Sequence, residues 1–119
     1  MARILVVDDA AFMRVRAAKV LTDNGHEVAM AENGREAVKT YAEWRPDAVL
    51  MDITMPEMDG LAALKEIRKL DPSARVAMVT AMGQQAIVME ALKAGAKDFV
   101  LKPFQPERIL ATLHKLLAA

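Results

Sequence analysis

The run AVLMDITMPEMDG, residues 48–60, decides the fold. Its first four residues are apolar, the run stops at Asp52, and a stripe of Leu61, Leu64 and Ile67 at helical spacing begins just past Gly60. A short buried strand that ends in an acid and passes into a helix is one βα unit. Outward from it, the same alternation occurs four more times. Apolar strands are predicted at 4–7, 28–31, 48–51, 76–79 and 99–101, and they read as nearly continuous hydrophobic runs, as strands covered by helices on both faces must.

The intervening segments carry helical periodicity. Met13, Ala17, Val20 and Leu21 form the inner face of the first helix, with Gly25 as its C-terminal stop. A second helix covers 34–44 and stops at Arg45-Pro46. The third ends before Asp71-Pro72, the fourth covers about 84–94 and closes at Gly95, and the fifth opens at Gln105-Pro106-Glu107 with Ile109, Leu110, Leu113, Leu116 and Leu117 facing inward. Five βα units with right-handed crossovers predict an α/β, flavodoxin-like (βα)5 fold. Its doubly wound, five-stranded parallel sheet has the order 2-1-3-4-5, and one domain is expected over residues 1–119.

Composition narrows the function classes. Lys plus Arg equals Asp plus Glu at 16 each, so no basic excess draws the chain to nucleic acid or to an anionic membrane. There is no cysteine, which removes disulfides, thiolate metal sites and cysteine nucleophiles. The apolar stretch near the N-terminus is too short for a signal sequence and runs into Asp8 and Asp9. A soluble, cytoplasmic protein is expected.

Ligands of open α/β sheets bind beyond the carboxyl ends of the strands, at the switch point between strands 1 and 3. Strand 1 ends in Asp8-Asp9, strand 3 in Asp52, strand 4 in Thr80 and strand 5 in Lys102-Pro103. Three converging carboxylates against one ammonium leave about two negative charges, which one divalent cation offsets. Oxygen ligands alone favour a hard ion, and a small site that keeps some waters favours Mg²⁺ over Ca²⁺. A carboxylate beside that cation can attack phosphorus and form an aspartyl-phosphate, with Lys102 and the hydroxyl of Thr80 serving the equatorial oxygens. Asp52 suits the nucleophile because it stands alone and centrally, whereas Asp8 and Asp9 are an adjacent pair suited to holding metal.

With these residues in place the sequence resembles the response-regulator receiver family over essentially its whole length. The matching motifs are Asp8-Asp9, Met51-Asp52 with Met55-Pro56 and Asp59-Gly60, Thr80-Ala81, and Lys102-Pro103-Phe104. The segments around Asp8, Asp52 and Ala81 look like the stand-alone chemotaxis receivers of Gram-positive and Thermotoga type. The resemblance implies Asp52 as phosphoacceptor, Asp9 and Asp52 as direct Mg²⁺ ligands, Asp8 acting through water, and the backbone carbonyl of Thr54 completing the set. It implies that Thr80 and Lys102 contact the phosphoryl group, that Thr80, Ala81 and Phe99 form the switch, and that the bond before Pro103 is cis. Phe99 stands where relatives often carry Tyr, so that hydroxyl is missing here.

The same resemblance implies a CheA-type histidine kinase as donor, a flagellar motor switch protein of FliM type as output partner, and CheC/CheX/FliY-type phosphatases. A monomer without nucleic-acid or membrane partners is expected, switching through its helix 4, strand 5 and helix 5 face rather than turning over as an enzyme.

Taken singly, each residue has a plainer role. Asp8 or Asp9 would cap helix 1, Lys102 would be a solvated lysine, and His26 and His114 surface residues. Three other functions fit the fold. An aspartate-nucleophile phosphohydrolase wants a second acid where Thr54 stands, a flavin-mononucleotide module wants a phosphate loop where Asp8-Asp9 stand, and a receiver cut from a larger regulator stays open.

Overall fold

The computed structural model describes residues 2–118. The elements follow one another as β1 (Arg3–Val7), α1 (Ala11–Asp23), β2 (Glu27–Ala31), α2 (Gly34–Trp44), β3 (Ala48–Asp52), α3 (Gly60–Leu70), β4 (Val76–Thr80), α4 (Gln85–Lys93), β5 (Asp98–Leu101) and α5 (Pro106–Ala118). All strand pairs are parallel and the sheet order is β2-β1-β3-β4-β5, the flavodoxin-like arrangement expected.

Period-two alternation within the strands sorts their side chains between two cores. Ile4, Val6, Leu50, Val79 and Val100 meet the inner faces of α1 and α5, including Ala17, Leu21, Ile109, Leu113 and Leu116. Leu5, Val7, Val49, Met51 and Met78 meet α2, α3 and α4 through Ala37, Tyr41, Leu64, Ile67 and Val88. Burial on both faces is complete in β3 and β4, where every residue is buried. It fails at β5, whose Phe99 and Leu101 remain 39% and 47% exposed because no element lies beyond this edge strand to cover their side.

Helix ends follow local chemistry. Asn33 caps α2 by accepting the N–H of Glu36, and Asp59 caps α3 by accepting that of Ala62. The α1 helix closes on Asn24 and a left-handed Gly25, as the glycine predicts. In α5 the inward stripe is narrower than the periodicity suggests: Leu110 and Leu117 are half-buried, while Thr112 is fully buried. His26 is half-buried rather than on the surface, its Nδ1 accepting the N–H of Ala2 at 3.1 Å.

Gly60 ties the fold to the future site. Its N–H donates to the carbonyl of Ile53 at 2.7 Å, and a Cβ there would lie 2.0 Å from the carbonyl oxygen of Asp52. Only glycine lets the start of α3 approach the end of β3 so closely. Among the described residues no helix is long and apolar enough to cross a membrane.

Candidate functional site

The order β2-β1-β3-β4-β5 brings the carboxyl ends of β1, β3, β4 and β5 side by side. Asp52 is the last residue of β3 and Thr80 the last of β4, while Asp8 follows β1 directly and Lys102 follows β5. Strand propensity ends where these polar residues begin, and Asp8, Asp52 and Thr80 are nonetheless 5%, 6% and 2% exposed. Asp9 is exposed at the rim.

Buried charges need partners. The ammonium of Lys102 lies 3.0 Å from Oδ2 of Asp8 and 3.2 Å from Oδ1 of Asp52, bridging the two carboxylates. Asp8 also accepts the N–H of Ala10 at 2.9 Å, and Asp52 that of Ile53 at 3.0 Å. Neither Asp8 nor Asp9 caps α1: the cap position belongs to Ala10, which makes no side-chain bond. Lys102 is far from a solvated lysine.

The electrostatics follow from this crowding. Burial, and then the negative charge of Asp8, push Asp52 up to about 6, against the opposing pull of Lys102. At Lys102 burial works against the charged form, but the hydrogen bond to Asp8 and the charges of Asp52 and Asp8 outweigh it, and the ammonium is held above its ordinary range. The site therefore carries more negative charge than one lysine compensates.

Asp8, Asp9 and Asp52 each offer a carboxylate oxygen, and the three oxygens lie within 4.8 Å of one another. That spacing, with oxygen donors only and a charge excess, fits a hard divalent cation such as Mg²⁺. Thr54, two residues past Asp52, is exposed at the same edge.

The remaining residues of interest surround the end of β4. Thr80 donates its hydroxyl to Oε1 of Gln84 at 2.9 Å. Ala81 is exposed, and Phe99 points outward into an apolar groove of about 330 Å³ between α4 and β5, lined also by Met82, Val88, Met89 and Leu101. The Lys102–Pro103 bond is cis.

Gln84 is the site residue that sequence reading placed only as the start of a helix. The α4 helix begins one residue later, at Gln85, and the side chain of Gln84 turns back to the strand ends. The available signal was Gly83, whose φ of +90° makes the reversal.

The sequence matches the response regulator receiver domain family across residues 4–114. The chemotaxis protein CheY of Thermotoga maritima is 59% identical over 115 residues, covering 96% of both chains. That of Bacillus subtilis is 59% identical over 116 residues, covering 97% of both. Among solved structures, a CheX–CheY–BeF3–Mg²⁺ complex from Borrelia burgdorferi contains a chain that superposes with a TM-score of 0.91 at 35% identity. The alignment covers 96% of this chain and 87% of that one.

Proposed function

The chain belongs to the response regulator receiver family, closely related to CheY proteins of two-component signalling, and from that premise we propose that it is a phosphorylation-driven chemotaxis switch with Asp52 as its phosphoacceptor. Receivers of this kind are signalling switches, not classical enzymes, so the chemistry serves a change of state.

The observation that carries the reading is the Asp52 carboxylate, buried at the end of the central strand, paired to Lys102 and grouped with Asp8 and Asp9. In the proposed transfer an oxygen of Asp52 attacks the phosphorus of a phosphohistidine on a CheA-type kinase. The P–N bond breaks, and the imidazole leaves with the electron pair and takes up a proton. Asp8, Asp9, Asp52 and the backbone carbonyl of Thr54 would hold the cation. Mg²⁺ supplies charge neutralisation at the oxygens of the phosphoryl group when it is bound.

Lys102 loses one carboxylate partner as Asp52 becomes an acyl phosphate and keeps its hold on the group through a phosphoryl oxygen. Thr80 donates its hydroxyl to another. Its displacement vacates space beside Ala81, into which the outward Phe99 turns, and the α4, β5 and α5 face changes shape for a FliM-type motor switch protein. A ligand can shift this equilibrium only by its differential interaction with the two states, so some activity without phosphate is expected.

Removal of the phosphoryl group by a CheX-type phosphatase is supported by the likeness to the CheY of the Borrelia complex. The chain acts in the cytoplasm as a monomer.

The test is phosphotransfer from a radiolabelled CheA-type kinase. Label is expected to pass to the wild-type chain and not to Asp52→Asn. Equal labelling of the two would place the acceptor elsewhere and end the reading.

A further inference from the structure

Gln84 holds the N-cap position of α4, yet its side chain makes no capping bond to the helix. It instead joins two loops at the carboxyl edge of the sheet. Its Oε1 accepts the hydroxyl of Thr80 at 2.9 Å and the N–H of Ala81 at 2.8 Å, and its Nε2 donates to the hydroxyl oxygen of Thr54 at 2.8 Å.

The donors and acceptors in this arrangement are fixed by chemistry. A backbone N–H can only donate, so the atom 2.8 Å from the nitrogen of Ala81 must be the amide oxygen and the outer atom the NH₂ group. A carbonyl oxygen cannot donate, so any bond between Thr80 and Gln84 takes the single proton of the hydroxyl, and Gln84 at 2.9 Å is the nearer acceptor, ahead of the carbonyl oxygen of Ala81 at 3.2 Å. A phosphoryl oxygen on Asp52 needs that same proton, because it too only accepts.

We propose that Gln84 is a latch on the switch. It holds the hydroxyl of Thr80 and the loop after β3 together in the unphosphorylated protein, and it must release Thr80 before that hydroxyl can serve a phosphoryl group. The proposal rests on Asp52 as the phosphoacceptor. Gln84 is a positioning residue: its side-chain hydrogen bonds go to Thr80, Ala81 and Thr54, and it acts through them. One side chain also spans the ends of β3 and β4, so its release couples events at the nucleophile's strand to the start of α4. Exchanging one or two neutral hydrogen bonds at this step corresponds to a roughly three- to tenfold bias toward the unphosphorylated form.

The test compares wild type, Gln84→Ala, Thr54→Val and the double variant. Labelling by acetyl phosphate with Mg²⁺ is followed by intact mass, and hydrogen exchange at the Ala81 amide is followed by NMR before any donor is added. Gln84→Ala is expected to label roughly three- to tenfold faster and to exchange faster at Ala81. Thr54→Val removes only the far anchor and should fall between it and wild type. The double variant should match Gln84→Ala, since both substitutions open one device.

Wild-type labelling rate together with unchanged Ala81 exchange in Gln84→Ala would overturn the latch, as would independent, additive effects of the two substitutions. A wild type that takes no label at all would remove the phosphoacceptor reading, and the latch with it. A labelled wild type beside an unaltered Gln84→Ala removes the latch alone.

Discussion

Asp52 shows how a residue's position can make its charge costly to the fold. Burial and the neighbouring Asp8 raise it from the ordinary 3.8 to about 6. Between those values the folded protein keeps a proton that the unfolded chain has lost, so this group's contribution to stability falls as pH rises through the window. Asp52→Asn removes the penalty. In the presence of a chelator, the variant is expected to melt above wild type by roughly 3–8 °C near neutral pH, with the difference closing toward about pH 4. Melting curves that stay parallel across this range would show that Asp52 is not the strained carboxylate. The sequence made Asp52 legible because an acid ends an apolar strand. The bridging of Asp8 and Asp52 by one lysine was not, since strand registers place those side chains and residue spacing does not.

At the scale of elements, the strands and helices were readable because periods of two and 3.6 leave different marks on the sequence. What lay beyond it depends on neighbours. The exposure of Phe99 and Leu101 comes from the edge position of β5, and a hydrophobic run looks the same whether one face or two are covered. Thr112 lies outside the apolar stripe of α5, yet it is fully buried and donates to Oδ2 of Asp98 at 2.9 Å, fastening α5 to β5. Arg108 and Lys115 approach the other oxygen of Asp98 at 3.9 and 3.7 Å. Thr112→Val keeps the volume and removes the donor from a buried acceptor, which costs about 1–3 kcal/mol. A fall in Tm of several degrees is expected in thermal denaturation, with Asp52 labelling retained. An unchanged Tm would mean that the two cations alone satisfy Asp98.

Across the whole molecule, the sheet order turns four separate motifs into one site. Asp8-Asp9, Asp52, Thr80 and Lys102 are scattered over more than ninety residues of sequence and meet only because parallel strands place their carboxyl ends on one edge. This is why the constellation could be read once the strand order was deduced, and why Gln84, which reaches the site by a turn and not from a strand end, could not. At this edge Asp52 is proposed to take a phosphoryl group from its donor with the help of a divalent cation. The most direct measurement is the intact mass of the chain after incubation with acetyl phosphate, with and without Mg²⁺, in wild type and Asp52→Asn. A single phosphoryl adduct on the wild type, dependent on Mg²⁺ and missing from the variant, is the predicted result. No adduct on the wild type under conditions that label a known receiver, or an equal adduct on Asp52→Asn, would contradict it.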